Sequence, residues 1–481
     1  MLIIPTFAAE NNYKKPDMNN YNKTFIYFIC MVSAMGGLLF GYDWVVIGGA
    51  KPFYELFFDI SESPVMQGVA MSTALVGCLI GAMVAGALAD KYGRKPLLIV
   101  AAVLFTVSAI ATGLFNDFTL FNIARFIGGV GIGVASALSP MYIAEISPTE
   151  VRGRLVSLNQ MTIVLGILGA QIVNWLLAEP VPEGFTNAEI LTSWNGQMGW
   201  RWMFWAETVP AALFLLFAFF IPESPRWLAT AAKGNKSEAF SIFELIGGRK
   251  YAEGEMAAIQ QTVAVESLPS AGLRTLFSKK YSSILVLGVI IAVFQQWCGT
   301  NVIFNYAQEI FSAAGYSVGD VLFNIVITGI ANVIFTFVAL YTVDRLGRRT
   351  LMLIGAGGLG VIYLILGTCY YFQITGFFMV ILVVAAISCY AMTLGPVTWV
   401  LLSEIFPNRV RGIAMATCTF ALWTGCTTLT FSFPSLNASL GSSGTFWIYA
   451  VICVCGFFYF IRRCPETKGV SLEDLEKKLV E

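Results

Sequence analysis

From Phe25 to Ile461 the chain is a succession of apolar runs, each long enough to cross a lipid bilayer, joined by short polar stretches. A membrane-crossing helix needs roughly 20 mainly apolar residues. Candidate spans 1 to 6 lie at 25–49, 67–89, 97–115, 119–143, 155–178 and 201–221. Spans 7 to 12 lie at 282–311, 321–343, 351–371, 376–403, 412–433 and 444–461. Inside lipid each backbone N–H and C=O must find its partner within the protein, so runs of this length form helices. The predicted fold is an all-α membrane protein of twelve spans. Composition agrees: 57% of residues are hydrophobic and only 12% charged, where a soluble chain carries about 25%. Mean hydropathy is +0.73.

The expected organisation is a tail over 1–24, a six-helix bundle over 25–221, a polar linker with short helices over 222–281, a second bundle over 282–461 and a tail over 462–481. Basic residues set the orientation, because Lys and Arg accumulate in cytoplasmic loops. Of the 29 Lys and Arg, all but Lys51, Arg125 and Arg201 fall in the tails and alternate joints that share one membrane side. Both termini are therefore predicted to be cytoplasmic. Lys51 and Arg201 read as outer-edge residues and Arg125 lies within span 4. The stretch before Asn22 lacks the order of a signal peptide.

The two sets of spans repeat each other. Asp90-Lys-Tyr-Gly93-Arg94-Lys95 after span 2 recurs as Asp344-Arg-Leu-Gly347-Arg348-Arg349 after span 8. Glu145, Pro148, Arg152 and Gly153 after span 4 recur as Glu404, Pro407, Arg411 and Gly412 after span 10, and Pro222-Glu-Ser after span 6 is echoed by Pro465-Glu-Thr after span 12. Equivalent motifs fall on the same side, so the halves are parallel repeats about a central axis, with a site expected at the seam between them.

Three charges lie inside spans. Asp43 is six residues before the outer end of span 1, Arg125 six into span 4 and Glu207 six into span 6. At 1.5 Å per residue all three sit about 9 Å below the outer surface. A charge at mid-bilayer costs roughly 3 kcal/mol or more without a partner or a wet cavity. Two readings follow: a permanent Asp43–Arg125 pair joining span 1 to span 4, or a proton site in which Asp43 alternates between protonated and Arg125-paired forms. The chain has no His, so a proton route must use carboxylates.

Amides suit a ligand rich in hydroxyls, since each donates and accepts. Gln295, Gln296 and Asn301 cluster in span 7, with Gly299 allowing local unwinding, and Asn332 lies near mid-membrane in span 8. Such amides also serve as interhelical glue. Aromatic candidates are Phe40, Trp399 and Trp423; Trp399 follows Gly395-Pro396, a pair able to hinge span 10. Packing is the alternative for each. At the predicted inner mouth Asp90 with Arg94, Glu145 with Arg152, Asp344 with Arg348 and Glu404 with Arg411 bring both signs together. They read as a gate latch, or as ordinary surface pairs worth about 0–1 kcal/mol each.

Over essentially its whole length the chain resembles the sugar porter family of the major facilitator superfamily. The resemblance is carried by Gly36-Gly-Leu-Leu-Phe-Gly-Tyr-Asp43, Gly86-x-x-x-Asp90-Lys-x-Gly93-Arg94-Lys95, Pro222-Glu-Ser-Pro-Arg226-Trp-Leu, Gln295-Gln296 with Asn301, and Pro465-Glu-Thr-Lys-Gly469. The pattern is most similar to bacterial proton-coupled pentose and hexose symporters. That implies the major facilitator fold, a cell-membrane location (the inner membrane in a bacterium), a monosaccharide and a proton as partners in the lipid bilayer, and a monomer. It also implies an acid at Asp43 for proton symport, and sugar contacts from Gln160, Gln295, Gln296, Asn301, Asn332 and Trp399. The chain departs from the pattern at Leu394, Leu422 and Asn305, where an aromatic, a Gln and a Tyr are usual, so the particular sugar does not follow. Rival readings are a proton-independent uniporter and a transport-dead sensor. Nucleic acid is not an expected partner, and no nucleophile–base set, phosphate loop or metal cluster appears. The ten cysteines form no CxxC pair, so no enzyme, cofactor or zinc site is expected.

Overall fold

The computed structural model describes residues 21–182, 184–231, 234–265, 273–407 and 410–468. Spans 1 to 5 are the helices Lys23–Phe57, Pro64–Tyr92, Lys95–Leu114, Phe118–Ile146 and Arg152–Leu177. Span 6 is interrupted at Glu207, giving Trp200–Ala206 and Thr208–Ala218. Span 7 is Lys279–Trp297 continued after Gly299 as Thr300–Asn305, span 8 is Val318–Leu346 and span 9 is Arg348–Tyr371. Span 10 breaks at Thr393 into Phe377–Met392 and Leu394–Ile405. Spans 11 and 12 lie in one stretch, Arg411–Arg463, parted at Gly441. Ten helices among the described residues are individually long and apolar enough to cross a bilayer. The interrupted span 6 and the joined spans 11 and 12 account for the difference from twelve.

Local chemistry starts and stops these helices. The side chains of Ser63 and Asp117 accept from the backbone N–H groups of Met66 and Leu120, capping spans 2 and 4 in the manner expected of Ser and Asp at a helix start. On span 3, Val100, Val103, Val107 and Ile110 form an exposed apolar stripe at helical spacing, the face a bilayer covers. Within the first half span 2 packs on span 4 and span 1 on span 5; across the seam span 2 meets span 11 and span 5 meets span 8. At Gly68 a Cβ would lie 2.4 Å from the Phe431 carbonyl oxygen, so only glycine lets these two helices approach so closely.

One joint differs from expectation. Span 1 continues past residue 49 to Phe57, and Lys51 lies within it, covered by protein and only 1% exposed. Glu55, one turn on, compensates the ammonium at 3.0 Å. Arg201 is likewise buried, its guanidinium bonded to the Gly113 carbonyl at 2.7 Å and to Asn116 at 2.7 Å.

The linker forms the helices Pro225–Thr230, Lys236–Val265, bent at Gly247 and Gly248, and Leu273–Leu276. It braces the face carrying Arg94 and Arg348, hereafter the basic face; the opposite one is the far face. Tyr21 packs edge-on against Tyr251 and donates to Glu150 at 2.9 Å. Most of the two tails, Arg409 and the side chain of Asp344 lie outside the described residues.

Candidate functional site

Equal depth becomes contact. Arg125 donates through Nη1 to Asp43 Oδ1 and through Nη2 to the Asp43 backbone carbonyl at 3.3 Å. Both residues are at most 2% exposed, so water screens their attraction little. The guanidinium stands 5.5 Å from the Phe204 ring centroid. Glu207, at the interruption of span 6, is buried within electrostatic reach of both partners. Asp43 Oδ2 and Arg125 Nε have no hydrogen-bond partner among the described residues. A buried pair that leaves an acceptor and a donor unmet is able to rearrange at a smaller penalty than a saturated one.

In the second half the amides form a directed row. Asn301 donates to Gln296, Gln296 to Gln295, and Gln295 to the Tyr390 hydroxyl at 2.8 Å. Gly299 makes the row possible: with φ 89° it takes the left-handed conformation, which costs glycine nothing. The helix stops at Trp297 and restarts at Thr300, bringing Asn301 back onto Gln296. Tyr390 stands just before the break at Thr393, two positions ahead of the expected Gly395-Pro396 hinge. Asn332 is buried and Gln160 half-buried; neither side chain is held by another among the described residues.

Three rings meet at the seam. Phe40 and Trp44 of span 1 stand 5.9 and 5.8 Å from Trp423 of span 11, and 5.7 Å from each other. Trp399 is not among them: it is 38% exposed and makes no ring contact among the described residues. Leu394 is buried against Gly355 of span 9, because the break before it turns this position into the bundle. Leu422 and Asn305 are buried as well.

At the basic face two of the expected pairings are replaced. Arg94 reaches Glu145 at 2.9 Å and Asp90 at 3.3 Å, and Arg348 reaches Glu404 at 3.0 Å. Arg152 instead bonds Thr149 at 3.3 Å, and Arg411 folds back on the Phe406 carbonyl at 3.1 Å. Each opens its own helix, where local backbone and side-chain acceptors lie nearer than the acid one joint away. The repeated Pro-Glu motifs supply a further layer. Glu223 accepts from the backbone N–H of Arg94 at 2.8 Å and Lys95 at 3.2 Å; Glu466 does so from Arg348 at 3.0 Å and Arg349 at 3.2 Å. Each carboxylate thus stands at the start of a helix, the end that favours negative charge. Gly93 and Gly347, with φ of 95° and 86°, leave room for the two carboxylates. Burial pushes the Glu223 carboxyl up, and the N–H bonds from Ser224, Arg94 and Lys95 pull it back. Every one of these pairs lies within a single half.

Residues 29–479 match the family described as "Sugar (and other) transporter". This chain belongs to that family. It is 36% identical to the arabinose-proton symporter of Bacillus subtilis, with 96% of this transporter and 97% of that protein covered. It is 36% identical to the D-xylose-proton symporter of Escherichia coli K12, covering 95% and 96%. Among solved structures, the inward open conformation of the xylose transporter XylE from E. coli matches with a TM-score of 0.82 at 34% identity, covering 95% of this transporter and all of that chain. XylE bound to 6-bromo-6-deoxy-D-glucose matches with a TM-score of 0.76 at 35% identity, covering 95% and 100%. This transporter is therefore a multi-pass membrane protein of the major facilitator fold and not an enzyme.

Sequence reasoning missed Trp44, Tyr390, Glu223, Glu466 and the far-face group around Lys51. Trp44 and Tyr390 look like ordinary aromatic residues of spans. The echo of Pro222-Glu-Ser in Pro465-Glu-Thr was a usable signal for the two carboxylates, although it says nothing of which backbone they hold.

Proposed function

We propose that this transporter imports a monosaccharide, a pentose or hexose, by proton symport through alternating access, with the basic face toward the cytoplasm. The observation that carries the reading is the buried Asp43–Arg125 pair with Glu207 beside it. Two carboxyls and one guanidinium in a dry site balance when one proton is held among them. Protonating Asp43 frees Arg125 from it, and deprotonation restores the pair, so proton occupancy is linked to the packing of span 1 against span 4. The sugar is held by Gln295, Gln296 and Asn301, with Gln160 and Asn332 completing the amides and Phe40, Trp423 and Trp399 offering ring faces.

The proton symporters among the relatives support the coupling, and their arabinose and xylose support the substrate class. A uniporter with the same fold is the reading to exclude. Cells expressing the transporter are given sugar in weakly buffered medium: symport draws protons inward and raises external pH, whereas uptake without alkalinisation would remove the coupling.

A further inference from the structure

The far face contains a buried charge group that the sugar and proton sites do not use. Lys51 Nζ pairs with Glu55 Oε1 at 3.0 Å on its own helix and also, across the seam, with Glu309 of the short helix Ala307–Ala313 that follows Thr300–Asn305 at the end of span 7. The Tyr306 ring lies beneath the ammonium, 5.3 Å to its centroid, and the Tyr306 hydroxyl is tied to the Thr430 carbonyl of span 11 at 2.6 Å. Gly48, one turn before Lys51, brings span 1 close enough for this: a Cβ there would stand 3.1 Å from the Asn305 carbonyl oxygen. Phe40, Trp44, Gly48, Lys51 and Glu55 form one stripe along span 1, and each of the first four meets the second half. Span 7 is the repeat counterpart of span 1, so the group joins the corresponding ends of the two halves near their common axis.

We propose that the Lys51–Glu309 ion pair is a latch holding the far face shut, with Glu55 as the resident partner that keeps Lys51 neutralised when the latch opens. This rests on the alternating-access reading. A buried ammonium stripped of every partner would be prohibitively costly, whereas exchanging one carboxylate for water is not. Opening the far face removes the Tyr306 ring and one carboxylate, Glu309, whose side chain is already 24% exposed and gains solvent readily. Lys51, with a side chain 2% exposed, keeps Glu55 throughout. Glu309 Oε2, buried and without a hydrogen bond among the described residues, leaves the closed latch short of saturation. The division into one permanent and one visiting carboxylate is what makes the contact reversible.

The test is hydrogen–deuterium exchange on the full-length purified transporter, without sugar or a proton gradient, comparing wild type with E309Q, E309K and K51E/E309K. E309Q is expected to raise exchange over 47–57 and 300–313 while lowering it at the basic face over 90–95 and 346–349. The face ratio should move about tenfold, the lower range for a close charge pair. E309K, a like charge beside Lys51, moves both faces further the same way, and the swap moves them back toward wild type. A far-face rise in E309Q with the basic face unmoved would mark a merely structural pair and overturn the latch, as would no change at all. If the swap fails to fold, the graded E309Q and E309K pair still decides. Failure of proton-coupled uptake in wild type is a separate result, since exchange is read with neither substrate present.

Discussion

The two six-helix halves are alike at their basic face and unlike in their interiors. Arg94, Glu145 and Glu223 in the first half are matched by Arg348, Glu404 and Glu466 in the second, down to which backbone N–H groups the Pro-Glu carboxylates accept. Deep in the bundles the resemblance stops. The first half buries charge, in Asp43, Arg125 and Glu207, beside amides of its own at Asn159, Gln171 and Asn174; the second, among the described residues, buries amides without charge, in Gln295, Gln296, Asn301 and Asn332. On the proposed reading, matched peripheries let the halves move as equivalent bodies, while the buried charges of the first half serve the proton and the amide row of the second is the larger part of the sugar site. Coupling must then cross the seam, and the Phe40–Trp44–Trp423 cluster is where span 1 touches the second half beside Asp43.

This contrast can be broken at several points. The largest effect is expected from D43N, which should abolish uphill accumulation while sugar counterflow persists; loss of both would mean that Asp43 serves sugar binding as well as the proton. The same variant should lose the wild-type decline of uptake as external pH rises, since Asn has no proton to give up. In the second half, Q296A should weaken sugar binding about tenfold, the effect of losing hydrogen bonds worth about 0.5–1.5 kcal/mol each, with proton release unaltered. Equilibrium binding of radiolabelled pentoses and hexoses checks it. At the matched periphery, R94A and R348A should each lower stability by about 1–3 kcal/mol and by similar amounts in thermal unfolding; a large disparity would deny their equivalence. The smallest change is W44F, which keeps a ring against Phe40 and Trp423 and should shift sugar affinity by less than about threefold.

That Asp43, Arg125 and Glu207 come together was legible in the residue string; the true end of span 1 and the direction around each helix were not. Counting from span ends put Asp43, Arg125 and Glu207 at one level, and they do cluster. Gly299 between Gln296 and Asn301 signalled a local break, which falls there. The burial of Lys51 was not legible, because its partner Glu309 lies 258 residues away. Arg152 and Arg411 misled for the opposite reason: nearness in sequence to an acid does not outweigh a closer acceptor of their own. Trp399 was legible as a hinge aromatic, but its facing depends on how the break at Thr393 rotates the second part of span 10. The near-continuous apolar runs give the number of helices, and only packing decides which faces meet.

The amide row runs in a single direction, each group handing its hydrogen to the next until Tyr390 receives it. A sugar hydroxyl that claims the Gln296 oxygen must displace Asn301, and the Gln295–Tyr390 end must adjust to the new arrangement. If the row holds sugar as proposed, occupancy at the unwound turn of span 7 would be felt at the bend of span 10 through four side chains. On that reading, an alcohol that fills the space but offers too few hydroxyls would leave the message half delivered.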